Sequence, residues 1–182
     1  MHRRWSLAVA GLVLIVAGSW LAHATQTSGG IKIEDVRFKG AKGNTMSALL
    51  YIPPNATAQS PAPGILAVHG YINSRETQDG FAIEFARRGY VVLALDQTGH
   101  GYSDPPAFAN GFGGPDGLTY LRSLDFVDKN NIGLEGHSMG GWTVLAAAIA
   151  MPNAYKSMVL EGSSTGKPFA EEGTTEIGRA HV

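Results

Sequence analysis

Cysteine is absent from the sequence. This absence excludes disulfide bonds, thiolate nucleophiles and cysteine-ligated metal centres together. An excess of charge is missing as well, because 14 Lys and Arg residues balance 15 Asp and Glu residues to a net charge of -1. Without a basic surface, nucleic acid is not an expected partner. The 182 residues have room for one domain and a short terminal segment, so a single hydrophobic core is expected.

Residues 1–24 contain a long apolar run without any charge, preceded by Arg3 and Arg4. The run has no polar face at the helical period, as a helix on a soluble core would have. It is predicted to be either a signal peptide ending at the small-residue pattern A-H-A at 22–24, or an uncleaved membrane anchor, which its length slightly favours. Both interpretations keep the arginines in the cytoplasm and place the rest of the protein outward, anchored to the membrane or exported. Residues 25–30 are predicted to form a linker.

The next part of the sequence predicts strands around one helix. Residues 31–38 and 45–52 flank the turn-like K-G-A-K-G-N and predict an antiparallel hairpin. The continuous apolar runs at 64–68 and 90–95 are typical of strands buried on both faces of a parallel sheet. Between them, apolar residues at helical spacing predict a helix over 79–88.

The same alternation continues toward the carboxyl end. Helices are predicted over 115–128 and 140–150, and strands over 132–135 and 157–160. Alternating strands and helices predict an α/β fold, with a mostly parallel sheet covered by helices on both faces.

Residues 136–140, Gly-His-Ser-Met-Gly, match the G-x-S-x-G pattern. They follow one predicted strand and open a predicted helix, which is the context that this pattern requires. Flanking glycines permit a backbone bend too sharp for residues with a Cβ, so the Ser138 hydroxyl is expected to stand clear at the end of the strand. The simpler interpretation is a serine that caps an ordinary helix.

Three motifs in this order resemble those of the α/β-hydrolase superfamily, in the style of its esterase, dienelactone hydrolase and serine aminopeptidase branches. They are V-H-G-Y at 68–71, D-Q-T-G-H-G-Y-S at 96–103, and the serine motif. The resemblance covers residues 31 to about 165, the amino-terminal part of the family's fold. It implies an α/β-hydrolase fold that is truncated after about the sixth strand. The family usually has Arg where Thr98 stands, so the hydrogen bonding of this loop is expected to differ.

By this resemblance, Ser138 is the nucleophile and the backbone N–H groups of Tyr71 and Met139 form the oxyanion hole. Two further histidines, His100 and His137, are expected to take no direct part in catalysis. The residues expected to shape the motifs rather than react are His69, Gly70, Asp96, Gly136, His137 and Gly140.

The histidine that should take the proton of Ser138 is not evident. In this fold the catalytic order is serine, acid, histidine, and the only histidine after Ser138 is His181. It comes too soon, because each further strand–helix unit takes about 30 residues. Residues 177–182 also resemble a translated sequencing adapter and are interpreted as a non-native tail. Glu161 is one position where some family members carry the acid, although a later strand is the commoner place.

We therefore interpret residues 31–176 as a partial hydrolase domain that lacks the triad acid and histidine. Alone, it is expected neither to turn over esters efficiently nor to fold stably, since its last strand would be an unpaired edge. The leading functional hypothesis is a serine hydrolase of small acyl esters, with amides or peptides as alternatives, acting through a Ser138 acyl-enzyme without a metal or cofactor. The competing hypotheses are a non-catalytic binding or scaffold domain and an acyltransferase.

Overall fold

The computed structural model describes residues 2–26 and 30–163. Within them, three successive strands follow an amino-terminal helix, and helices and strands alternate from there. The helices are α1 (His2–Gln26), α2 (Asp79–Arg87), the single turn α3 (Ala109–Phe112), α4 (Gly114–Ser123) and α5 (Met139–Ala150), with a 3₁₀ turn at Arg75–Gln78. The strands are β1 (Lys32–Lys39), β2 (Thr45–Ile52), β3 (Ala62–Val68), β4 (Val91–Asp96), β5 (Val127–His137) and β6 (Ser157–Glu161).

The six strands form one sheet in the order β1-β2-β4-β3-β5-β6. The predicted hairpin is confirmed, because β1 pairs with β2 in antiparallel register. Strand β2 runs antiparallel to β4, whereas β3, β4, β5 and β6 all run parallel. The parallel strands end at one edge of the sheet, so the loops that follow them meet there.

Side chains alternate between the two faces of the sheet, as the period of a strand requires. On one face, Leu66 of β3 packs in a cluster with Leu121 of α4 and Val144 of α5. On the other face, Ala67 packs in a second cluster with Ala82 of α2. The predicted mostly parallel sheet with helices on both faces is confirmed.

The largest departures from the predicted boundaries lie between α4 and β5. Helix α4 ends at Ser123 rather than at residue 128, and β5 begins at Val127. The cause is a long-range pairing: Ala62 and Pro63 of β3 pair with Val127 and Asp128. Residues that pair with a neighbouring strand cannot continue a helix. No local sequence pattern indicates this pairing.

Helix α1 includes an apolar segment, Trp5–Thr25, of 21 residues with a mean hydropathy of 2.0. The segment is long and apolar enough to cross a membrane, and it is exposed along its length. The helix continues through Gln26, so it extends two residues into the predicted linker. Residues 27–29 of that linker lie outside the described residues.

Candidate active site

Ser138 lies in a sharp bend between β5, which ends at His137, and α5, which begins at Met139. Its backbone has φ 53° and ψ -117°. Few residues with a Cβ adopt a positive φ, and such a conformation costs about 1–3 kcal/mol unless the surroundings impose it. Ser138 is thus part of neither the strand nor the helix, and the predicted strand–turn–helix arrangement is present.

Contacts of two glycines impose this bend. A Cβ added at Gly136 would lie 2.4 Å from the Gly140 carbonyl oxygen, and one added at Gly140 would lie 2.1 Å from that of Val68. Cβ atoms do not approach other atoms so closely, hence any side chain here would force the backbone apart. The Ser138 N–H donates to the Glu161 carbonyl oxygen at 2.7 Å. The bend is therefore held between the ends of β3 and β6.

The loop after β3 approaches the serine. A Cβ added at Gly70 would lie 3.3 Å from the Cβ of Ser138 and 2.9 Å from Nδ1 of His137. In the part of the chain that the structure describes, the backbone N–H groups of Tyr71 and Met139 donate no hydrogen bond. Two open donors therefore belong to residues that line one cavity with Ser138, and an oxyanion hole requires donors of this kind.

A cavity of about 530 Å³ opens at the serine. Its size is within the range of pockets that bind small organic molecules. No charged side chain lines it among the described residues. The lining residues are Tyr71, Phe108, Phe112, Ser138, Met139, Trp142, Gly162 and Ser163.

His69 is fully buried, and both of its ring nitrogens are engaged. Nε2 accepts the backbone N–H of Gln97 at 3.2 Å, so the proton is on Nδ1, which donates to the Gly70 carbonyl oxygen at 2.7 Å. Burial lowers the pKa of the His69 imidazole, which favours this neutral form. The ring therefore links the loops after β3 and β4.

Asp96, at the end of β4, is also fully buried. Its Oδ1 accepts the backbone N–H of Arg75 at 2.9 Å, and its Oδ2 accepts the Ser47 hydroxyl at 2.8 Å and the Tyr102 N–H at 3.0 Å. These bonds engage both carboxylate oxygens and fix the loop after β4.

Sequence reasoning missed Arg75, the cation beside Asp96. Its side chain is buried and donates to both carboxylate oxygens of Asp35, at 2.9 and 2.8 Å. It also donates to the Ser47 hydroxyl at 2.8 Å. These partners lie in β1 and β2, far away in the sequence, so no local motif could have revealed the network.

Thr98 makes two hydrogen bonds to the segment that precedes α4. Its N–H donates to the Phe112 carbonyl oxygen at 3.1 Å, and its hydroxyl donates to that of Ala109 at 3.0 Å. Thr98 therefore attaches the segment that contains Phe108 and Phe112, two lining residues of the cavity, to the end of β4.

No described histidine contacts the Ser138 hydroxyl, which makes no hydrogen bond within residues 2–26 and 30–163. The Nδ1 atom of His100 lies 3.1 Å from the Thr98 carbonyl oxygen, and the side chain of His137 is exposed. His181 lies outside the described residues. Glu161 is half-buried and contributes its backbone carbonyl to the bend.

Glu135 is a second residue that sequence reasoning missed. Only 4% of it is exposed, and neither carboxyl oxygen has a hydrogen-bond partner among the described residues. Burial, and secondarily the nearby Glu161, raise the pKa of Glu135 to about 7. Its signal was an acidic residue directly after the apolar run I-G-L at 132–134. Across the described ranges, no group of three His, Asp or Glu residues could hold a metal ion.

Two family models match the sequence. A model described as the alpha/beta hydrolase fold matches residues 63–180, more than half of the chain. A model described as acetyl xylan esterase matches residues 3–113.

Individual proteins are also similar to parts of the chain. The chain is 38% identical over 80 residues to a 2-hydroxy-6-oxononadienedioate/2-hydroxy-6-oxononatrienedioate hydrolase of Cupriavidus pinatubonensis, covering 44% of this chain and 28% of that protein. It is 30% identical over 132 residues to a monoacylglycerol lipase of Mycolicibacterium smegmatis, covering 64% and 42%. A hypothetical protein from Pseudomonas aeruginosa has a similar structure, with a TM-score of 0.64 and 25% identity over 80% of this chain and 47% of that one. The chain thus spans well under two thirds of these relatives.

Proposed function

This chain belongs to the α/β-hydrolase fold family, and from that premise we propose that its protein is a serine hydrolase that cleaves small acyl esters. The observation that carries the proposal is the backbone of Ser138, which is forced into a positive φ at the mouth of an apolar cavity. A binding domain has no need for a strained serine beside open amide donors. The esterase description of the second matching model supports an ester substrate.

In this mechanism, the Ser138 oxygen attacks the acyl carbon of the ester. The negative charge develops on the former carbonyl oxygen, where the N–H groups of Tyr71 and Met139 donate hydrogen bonds to it. Collapse of the tetrahedral intermediate expels the alcohol and leaves an acyl group on Ser138, which water then hydrolyses. The base that receives the serine proton is assigned to no described residue, because none of their histidines contacts the hydroxyl.

Helix α1 indicates on which side of the membrane the proposed hydrolase acts. Its apolar segment follows Arg3 and Arg4, and positive residues before such a segment favour its amino end in the cytoplasm. The hydrolase domain then faces outward, anchored by α1 or exported after cleavage.

Covalent labelling tests the proposed nucleophile. The protein at its full natural length is treated with a small ethyl fluorophosphonate, which reacts with activated serines. We expect labelling of the wild type and none of Ser138→Ala. Ser123→Ala is the matched control, because Ser123 is exposed at the end of α4 and remote from the cavity. A folded wild type that resists the probe would instead support the non-catalytic alternative.

A further inference from the structure

The cavity at Ser138 has an aromatic wall formed by Tyr71, Phe108, Phe112 and Trp142. Their ring centroids follow one another at 6.5 Å, 5.6 Å and 6.4 Å. These separations are typical of interacting aromatic side chains. The four residues come from the loop after β3, the connection between β4 and α4, and helix α5, so the fold assembles one surface from three segments.

The outer part of this wall is open to solvent. Tyr71 is 58% exposed and Phe108 is 50% exposed, although aromatic rings gain most from full burial. Elsewhere, Phe38 and Tyr120 stack at a centroid distance of 4.2 Å. The wall thus leaves ring surface uncovered at the mouth of the cavity.

Backbone contacts hold the wall in place and impose an unfavourable backbone conformation on it. Phe108 and Phe112 have φ values of 67° and 59°, which bulky residues rarely adopt. The two Thr98 hydrogen bonds fix this segment on β4, and Gly111 lies so near α5 that an added Cβ would be 2.8 Å from the Cβ of Ala146. The wall is therefore preorganised, which lowers the entropic cost of binding a ligand.

The lining also disfavours charged groups. Among the described residues that line it, the polar side-chain groups are the Tyr71 hydroxyl, the Trp142 indole N–H and the hydroxyls of Ser138 and Ser163. A carboxylate or phosphate moved into this cavity would lose its water without meeting a cation from the part of the chain that the structure describes, at a high free-energy cost.

We propose that the cavity selects neutral esters that carry an aromatic ring close to the cleaved bond, with the ring seated against Phe108, Phe112 and Trp142. This inference rests on the proposed function, because it concerns the group attached to the carbon that Ser138 attacks. A flat ring matches the flat surfaces of the wall, whereas a straight alkyl chain of equal carbon number presents less area to each ring.

The test compares two fluorophosphonates that both carry nine carbons on phosphorus, one a 3-phenylpropyl group and the other a nonyl group. Rates of Ser138 labelling are measured on the protein at its full natural length. We expect the phenylpropyl probe to react at least about tenfold faster. The ratio of the two rates should fall toward one in Phe112→Leu and in Trp142→Leu. It should stay unchanged in Phe81→Leu, a control that removes an exposed ring on α2.

The outcomes separate this inference from the proposed function. If the ethyl probe labels Ser138 but the nonyl probe reacts as fast as the phenylpropyl probe, the aromatic preference is refuted and the serine hydrolase stands. If a trimethylammonio-alkyl probe reacts fastest, the wall is a cation site and the inference is overturned. If no probe labels folded protein, both are refuted. The ratio of the phenylpropyl to the nonyl labelling rate in the wild type decides between these outcomes even if a variant fails to fold.

Discussion

Two parallel strands that flank β3, one on each side, end in two differently built loops. At the end of β4, the Asp96 carboxylate accepts hydrogen bonds from two backbone N–H groups and one hydroxyl. At the end of β5, the hydroxyl of Ser138 has no hydrogen bond among the described residues, and close glycine contacts hold its backbone instead. Where internal bonds use every polar atom, the residue stabilises the fold. Where packing holds the backbone and leaves the side chain open, the residue is available for chemistry.

The largest expected effect concerns the loop after β4. Asp96→Ala removes a buried carboxylate beside the buried Arg75, whose guanidinium loses a partner 3.6 Å away. Breaking a buried charge network in this way costs about 4 kcal/mol in the free energy of unfolding. Chemical denaturation should show this loss, and the folded fraction should still label at Ser138. Asp125→Ala, at an exposed acidic residue, should leave stability nearly unchanged.

If Asp96→Ala instead abolished labelling of fully folded protein while preserving stability, Asp96 would act in the chemistry. The contrast between the two loops would then be wrong.

Glu135 provides the next effect, because it is buried like Asp96 but has no hydrogen-bond partner among the described residues. Its pKa is about 7 in the folded protein against an ordinary 4.5, so the folded state holds its proton more tightly than the unfolded chain does. Below pH 4.5 the carboxyl is protonated in both states, so it leaves the free energy of unfolding unchanged. Above pH 4.5 the unfolded chain loses the proton first, and the free energy of unfolding falls until the pH has risen through about 7. The full loss is about 3 kcal/mol at 1.36 kcal/mol per pKa unit.

Glu135→Gln keeps the shape of the side chain and removes its ionisable carboxyl group. Thermal unfolding should show the variant more stable than wild type at pH 8, with a much smaller difference at pH 4. A difference of equal size at both pH values would show that Glu135 is not the titrating group.

The third effect tests the packing of the bend. Gly140→Ala places a Cβ where the Val68 carbonyl oxygen lies, so the turn must shift. We expect a stability loss of about 2 kcal/mol. We also expect labelling of Ser138 to slow by about 100-fold, because small displacements of a reacting group have large effects on rate.

Gly133→Ala, in the strand β5 that precedes the bend, is the matched control, since the nearest atom to its added Cβ is 3.6 Å away. Equal labelling rates in Gly140→Ala and Gly133→Ala would show that glycine packing does not position the serine.

Local sequence patterns were enough to predict the hairpin, the buried parallel strands and the bend at Ser138. Each of these depends on residues close together in the chain, such as alternating apolar positions or glycines beside a serine. The start of β5, the partners of Arg75 and the burial of Glu135 depend on residues that only the fold brings together. The aromatic wall was missed for the same reason, because the backbone that orients Phe108 and Phe112 is set by contacts with Thr98 and α5.

The most direct test of the central claim is to trap the acyl-enzyme. The protein at its full natural length is mixed with a neutral ester, quenched in acid and digested. The mass of the peptide that contains Ser138 is then measured by mass spectrometry. The account predicts that this peptide carries the acyl group and that Ser138→Ala removes both the adduct and ester hydrolysis. Ester hydrolysis that continues in folded Ser138→Ala, without any adduct on Ser138 in the wild type, would contradict it.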